Sequence, residues 1–327
     1  MGWTITEESF ESLTRIWRNP GDLRWEPVFI LPGWIEVWWR HFQPDARRYL
    51  LSVRSGEDII GIAPLKLRDG TAFFSGCPDV CDYMDFIVMP GKESEFFTAL
   101  LGHLAGAGIK ELLLEHVRPE SSVMLKLMDL ARDRGNTVAS EVSARSLEIT
   151  LPPSWDGYLE MLSPKQRHEL RRKLRRLREM GRAEYRAVKD PAGIDGLMDT
   201  FFQFFSGSRS DKAIFLTEQM KSFFRDMTRA MSRAGLLEVG VLELDSKPTA
   251  MVLYFDYKQK IYLYNSCYDI RYDYLSIGIL SKFLCIKDSI EKGRQGFDFM
   301  KGGEKYKFLL GGQEVPLYSC RIGLVNP

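Results

Sequence analysis

The segment from Leu236 to Tyr268 constrains the fold more than any other. It reads LLEVGVLEL, PTAMVLYFDY and KIYLYNSCY, three runs rich in β-branched and aromatic residues. The turns between them, Asp245-Ser246-Lys247 and Lys258-Gln259-Lys260, are short enough only for hairpins, so an antiparallel meander is predicted. A helix over Ser276–Lys292 is expected next, then a strand GFDFM, a helical turn and a last strand near Leu317–Ile322. Helices at Asp195–Phe205 and Glu218–Arg233 precede the meander, with a strand at Glu184–Val188 before them. This order is α+β and departs from the regular alternation of a doubly wound parallel sheet.

The first half carries a looser version of the same order. A helix is predicted over Pro32–His41, strands over Tyr49–Val53, Asp58–Leu67, Thr71–Ser75 and Tyr83–Val88, and a helix over Glu93–Gly106. The leucine run in Glu111–Val117 reads as a buried strand, followed by a helix over Ser121–Asp133 and a strand over Ser146–Leu151. Pro152-Pro153 then punctuates the chain, which sets domains of 1–151 and 152–327. The shared order suggests a duplicated unit, although no residue-level repeat accompanies it.

With 45% hydrophobic and 27% charged residues, the 327-residue chain has the composition of a globular protein, and its net charge of +1 gives no global pull toward polyanions. The opening residues carry Glu7, Glu8 and Glu11 rather than a basic, then apolar, leader. No apolar run approaches the roughly 18 to 20 residues a membrane span requires. Five scattered cysteines (Cys77, Cys81, Cys267, Cys285, Cys320) argue against a disulfide framework. Cys77 and Cys81 lack a second Cys/His pair to complete a zinc site, so no metal is expected. These features point to a reducing, cytoplasmic setting. His41, His103, His116 and His168 fall in no nucleophile constellation, and neither a Walker loop nor GxGxxG occurs.

Four stretches could carry chemistry. In CYDIRYDYLSIGIL, Ser276 reads as an N-cap and Gly278 falls in the first helical turn, where free N–H groups and the macrodipole suit a pyrophosphate, with Arg271 just upstream. The alternative is an ordinary capped helix whose glycine serves packing. After Ser163, Pro164 and Gln166 open a helix with an apolar stripe of Leu170, Leu174 and Leu177 that should stop at Gly181. Nine basic residues (Lys165, Arg167, Arg171, Arg172, Lys173, Arg175, Arg176, Arg178, Arg182) stand there against Glu169 and Glu179. Phosphate, an anionic lipid surface or RNA would suit that excess, and a solvated face is the plain alternative. In GFDFMKGGEKYKFLLGG, Asp298, Glu304, Tyr306 and Lys307 supply proton donors and acceptors beside a glycine pair, or form a charged surface loop. In PDVCDYMDFIVMPG, Asp82 and Asp85 would face opposite sides of an extended strand, and either could bind an ammonium group, cap a turn or pair with arginine.

Together these stretches resemble a known family. FDFMKGGEKYK, closing on Gly311, resembles the FDFxRGxExYKxxxG signature of the cellulose-biosynthesis-type acetyltransferase group of the GNAT superfamily, relatives of the Fem peptidoglycan aminoacyltransferases. PGWIEVWWRHF, IIGIAPLKLRDG, DYMDFIVMPG and SPKQRHELRRKLRRLREMG agree in order, and YDIRYDYLSIGIL is similar to the group's acyl-donor helix start.

The resemblance implies two tandem GNAT-like domains, each a mixed, mostly antiparallel sheet flanked by helices. The second would hold the donor and the first would shape the acceptor cleft. It implies acyl-CoA as co-substrate without a resident cofactor, and an amine acceptor linked to a lipid, sugar or amino acid. On that reading Arg271, Tyr274, Ser276, Ile277 and Gly278 bind the donor, and Asp82, Tyr83, Asp85, Arg171 and Arg175 bind substrate. Asp298 or Glu304 acts as base, Tyr306 as acid for the leaving thiolate, and Lys307 orients a carbonyl or an anion. Gly303 replaces a frequent acid of the group, and Phe308 and Leu309 replace basic residues, which leaves room for a lipid-like substrate. Further expectations are an anionic membrane surface or an acyl carrier protein as partner and a peripheral position at the inner membrane face. Nucleic acid is not expected unless the donor is an aminoacyl-tRNA, as in a Fem-like transferase. The remaining alternative is a non-catalytic scaffold binding an anionic lipid or glycan.

Overall fold

The computed structural model describes residues 2–77, 79–208 and 210–325, with backbone alone at 208 and 210–212. It is α+β throughout and divides into two compact units, residues 1–145 with 315–327 and residues 146–314. The second unit thus begins six residues before Pro152-Pro153, and the C-terminal strand belongs to the first unit rather than to a domain of 152–327.

The first unit contains β1 (Trp3–Glu7), α1 (Phe10–Arg18), α2 (Pro32–Phe42), β2 (Arg47–Ser55), β3 (Asp58–Arg68), β4 (Thr71–Phe74), β5 (Ile87–Val88), α3 (Glu93–Gly106), β6 (Glu111–Val117) and α4 (Met128–Asp133). The strand β7 (Thr137–Thr150) begins here and ends in the second unit. In the second unit follow α5 (Trp155–Met161), α6 (Pro164–Glu179), β8 (Ala183–Val188), α7 (Pro191–Ser208), α8 (Ser210–Phe215), α9 (Glu218–Arg233), β9 (Leu237–Leu244), β10 (Lys247–Tyr257), β11 (Lys260–Tyr268), α10 (Ile277–Glu291), β12 (Gly296–Lys301) and α11 (Lys305–Leu309). The last strand, β13 (Gln313–Gly323), returns to the first unit from Val315 onward.

Each unit repeats one sheet plan. In the first, β1, β2, β3 and β4 run antiparallel in order, β6 lies parallel to β4, and β13 lies antiparallel to β6. In the second, β8, β9, β10 and β11 run antiparallel in order, β12 lies parallel to β11, and β7 lies antiparallel to β12. The crossover helix between the two parallel strands is α3 in one and α10 in the other. Both bury their apolar faces, through Phe96, Phe97 and Leu100 on α3 and Leu280, Phe283 and Ile286 on α10. Gly61 of β3 is required there, because a Cβ would stand 2.3 Å from the Phe96 ring.

Three elements differ from the sequence expectation. The strand expected over Tyr83–Val88 shrinks to Ile87–Val88, because Asp85 turns its carboxylate onto the amides of Phe86 and Ser122 instead of extending. β7 starts nine residues earlier than expected, in the polar stretch TVASEVSAR, whose sparse apolar content hid it. β1 and α1 were not anticipated; α1 is closed by a capping box between Ser9 and Ser12, a pairing without the usual acid.

Candidate active site

The second unit holds the arrangement with chemical potential. β11 and β12 pair only over Lys260–Tyr262 against Gly296–Asp298. Beyond that point β11 continues to Tyr268 along β10, with a bulge opposite Leu253 and Tyr254, while β12 bends at Met300, which has φ of 64°. Two parallel strands that part after three residues leave a notch in the sheet, and α10 begins beyond the end of β11.

The start of α10 is built for an anion. Ser276 occupies the N-cap position in a left-handed conformation, φ 58°, and its carbonyl accepts the amides of Ile279 and Leu280 at 3.0 Å. The amides of Ile277 and Gly278 stand ahead of the helical ladder, at the positive end of the dipole. The Ser276 hydroxyl makes no capping bond; it accepts the Lys173 ammonium at 2.7 Å instead. The Arg176 guanidinium lies 5.9 Å from the Tyr274 ring centre, and Tyr274 is half exposed. Helix start, lysine and arginine thus converge on one spot suited to phosphate oxygens.

Gly278 has a different reason from the one its position suggests. A Cβ there would stand 2.9 Å from the Tyr268 ring, so the glycine admits Tyr268 against the helix. Arg271 is held by Asp269 through contacts of 2.6 to 3.0 Å while its side chain remains exposed. Arg271 holds the Asp269 carboxyl below the usual carboxylate range.

Tyr306 reaches the same helix turn. Its ring lies 4.8 Å from the Lys282 ammonium, which donates to the Gly278 carbonyl at 2.6 Å, and 6.4 Å from Phe299. Glu304 is exposed at the N-cap of α11 and 2.9 Å from Lys307. The other two candidates of this stretch are sealed. Asp298 is fully buried, accepts the Met300 amide at 2.8 Å, and has the Lys260 ammonium at 3.4 Å. Lys307 is also buried and donates to the carbonyls of Met300, Lys301 and Gly302 at 3.0, 2.7 and 3.1 Å. Both side chains bond to the backbone of the bend after β12.

Arg171 and Arg175 do not join the site. They lie two positions either side of Lys173, about 200° around the helix from it, and both are exposed. Lys173, Arg176 and Lys282 stand at this site and are not among the residues the sequence singles out for it. Lys173 is three after Leu170 and four before Leu177, on the apolar stripe, and that spacing was visible in the sequence.

The remaining candidates belong to the first unit. Tyr83 is buried, with Phe29 at 5.6 Å and the Arg118 guanidinium at 4.9 Å, and serves the core. Asp85 caps the turn at Ser122, accepting its amide at 2.8 Å and its hydroxyl at 2.7 Å. Asp82 is partly exposed. Cys77 and Cys81 accept indole N–H groups from Trp38 and Trp34 at 3.3 and 3.2 Å. Among the described residues no cluster of three His, Cys, Asp or Glu side chains forms a metal cage.

Burial pushes the Asp85 carboxyl up to about 6, against the lowering effect of its donors. The folded state therefore holds a proton that the unfolded chain releases between about pH 4 and pH 6, and stability falls as pH rises through that window. Melting of the full chain is expected to rise as pH drops from 7 to 5. In Asp85→Asn this part of the pH dependence should flatten; an unchanged slope would remove Asp85 as its source.

Residues 164–308 match the model of the acetyltransferase (GNAT) domain family. The second unit is similar to that family over this stretch. No curated protein sequence matches the chain significantly. Among solved structures, FemX aligns with a TM-score of 0.67 at 12% identity, covering 99% of this chain and 98% of its own. The C-terminal domain of a protein described as a lysylphosphatidylglycerol synthetase from Agrobacterium fabrum aligns at 0.57 and 13% identity, over 88% and 90%. L-PGS from Bacillus licheniformis aligns at 0.55 and 11% identity, over 89% and 91%. At such identities the likeness is one of fold. The matched stretch spans the notch, α10 and Tyr306. No helix among the described residues is long and apolar enough to cross a membrane.

Proposed function

We propose that the chain is an acyl-CoA-dependent N-acyltransferase that moves an acyl group from the thioester to an amine by direct attack. The observation that carries this is the parting of β11 from β12 beside a helix start at which Lys173 is hydrogen-bonded to Ser276. The donor pyrophosphate would rest on the amides of Ile277 and Gly278 with Lys173 and Arg176 beside it, and the acyl-pantetheine arm would lie along the free side of β11. The amine nitrogen attacks the carbonyl carbon; the C–N bond forms as the C–S bond breaks. Tyr306 gives its phenolic proton to the leaving sulfur, and Glu304 accepts the nitrogen's proton through water. Solvent then restores both groups.

On this reading the first unit would recognise the acceptor, with partly exposed Asp82 as its acid. Half-exposed Phe308 and Leu309 beside Tyr306 favour an acceptor or acyl chain with lipid character. The signature around β12 supports membership of the cellulose-biosynthesis-type group. A second reading, with an aminoacyl-tRNA donor, is favoured by the arginines on the outer face of α6.

A thermal-shift series with CoA, acetyl-CoA and palmitoyl-CoA tests the donor. At a hundredfold excess over Kd, linkage stabilises by about 2.7 kcal/mol, a shift of roughly 5 to 10 °C. Lys173→Glu is expected to weaken CoA binding at least tenfold. No shift with any CoA, together with nuclease-sensitive RNA in the purified protein, would transfer the donor role to tRNA.

A further inference from the structure

The outer face of α6 is charged well beyond what the donor site uses. Lys173 and Arg176 point toward α10 and the turn at Tyr274, whereas Arg167, Arg171, Arg175 and Arg178 lie on the opposite side of the helix. Of these four, only Arg175 has an ion pair among the described residues, a 3.6 Å contact with exposed Glu179. Intramolecular pairing therefore leaves most of this charge uncompensated.

Apolar side chains surround the same helix. Among the described residues of the second unit, the exposed large hydrophobics are Met161, Met180, Ile214, Ile270, Tyr274 and Phe308. All but Ile214 border α6. Met161 ends α5 two residues before the Ser163 cap, and Met180 is the C-cap. The Phe308 carbonyl accepts the Gln166 amide at 2.7 Å, which fixes that residue beside the first turn. Ile270 and Tyr274 ride on the 3-10 turn Ile270–Leu275, where the Arg176 guanidinium lies 5.9 Å from the Tyr274 ring centre.

We infer that this face docks on an anionic lipid bilayer. Guanidinium groups meet headgroup phosphates, and the methionine, isoleucine and aromatic tips enter the headgroup boundary. A single-stranded or duplex polyanion would account for the arginines but not for exposed Met161, Met180 and Ile270, whereas an interfacial contact uses both sets. The inference stands apart from donor chemistry, because vesicle binding needs no CoA.

The test is flotation of the full chain with vesicles of phosphatidylcholine alone or with 30 mol% (on the order of cytoplasmic-leaflet anionic content) phosphatidylglycerol. The expected result is binding to the phosphatidylglycerol vesicles, at least tenfold weaker in half-molar salt (an order-of-magnitude choice that shortens the Debye length) and in Arg171→Ser/Arg175→Ser/Arg178→Ser. Met161→Ser/Met180→Ser should also weaken binding several-fold while leaving its salt dependence unchanged. Circular dichroism and melting serve as the folding check for both variants. Equal affinity for the two vesicle types, no binding to either, or methionine variants indistinguishable from the parent would each overturn the inference. So would RNA binding that the arginine variant abolishes without any vesicle association.

Discussion

Tyr306→Phe is expected to lower kcat by about 10² to 10³ while leaving CoA-dependent stabilisation intact. General acid catalysis contributes on that scale, and loss of a phenolic O–H removes the proton without disturbing the ring. The ring itself is held by Lys282 at 4.8 Å and Phe299 at 6.4 Å, so phenylalanine keeps the packing. The measurement is steady-state acyl transfer to a primary amine, paired with the CoA thermal shift. A fall in kcat that vanishes with an acyl donor bearing a better leaving thiol would assign the proton to the sulfur. An unchanged kcat would take Tyr306 out of the reaction and leave solvent as the acid.

Lys307→Met should destabilise the second unit by about 2 to 4 kcal/mol, lowering its melting temperature by roughly 5 to 15 °C. The ammonium is buried with four acceptors: three backbone carbonyls of one bend and the Glu304 carboxylate. Methionine fills the volume but removes the ammonium's hydrogen bonds to those carbonyls where β12 turns away from β11. Thermal or urea unfolding of the full chain reads this directly. A normal melting curve combined with lost turnover would reverse the reading and give Lys307 a direct part in catalysis.

The meander, both crossover helices and the strand before the glycine pair followed from turn chemistry and side-chain period, which are local properties. The capping box at Ser163 and Gln166 was readable for the same reason, and both of its bonds are present. Burial of a charged side chain depends on how the whole fold closes around it, and nothing in the local pattern of Asp298 or Lys307 marks it. Both look like general acid–base candidates until the amide and carbonyls that occupy them are known. The basic helix misled in the opposite way. Its charge drew attention to Arg171 and Arg175, while Lys173, which is hydrogen-bonded to the N-cap of α10, lay among the leucines where period alone marked it as inward-facing.

The assignment of β13 to the first unit has a consequence for synthesis. The chain leaves the ribosome N-terminus first, at roughly 5 to 20 residues per second. The strand that flanks β6 comes from residues beyond Val315, although the rest of that unit is complete by Arg145. The newborn first unit therefore waits on the order of ten to forty seconds with the β6 edge open, Leu112 and Leu114 among its residues. An open apolar edge of that kind is a target for chaperones and for strand exchange between neighbouring nascent chains. A fragment cut at the proline pair would keep that edge permanently, so truncation there is expected to yield an aggregating product rather than an isolated first unit.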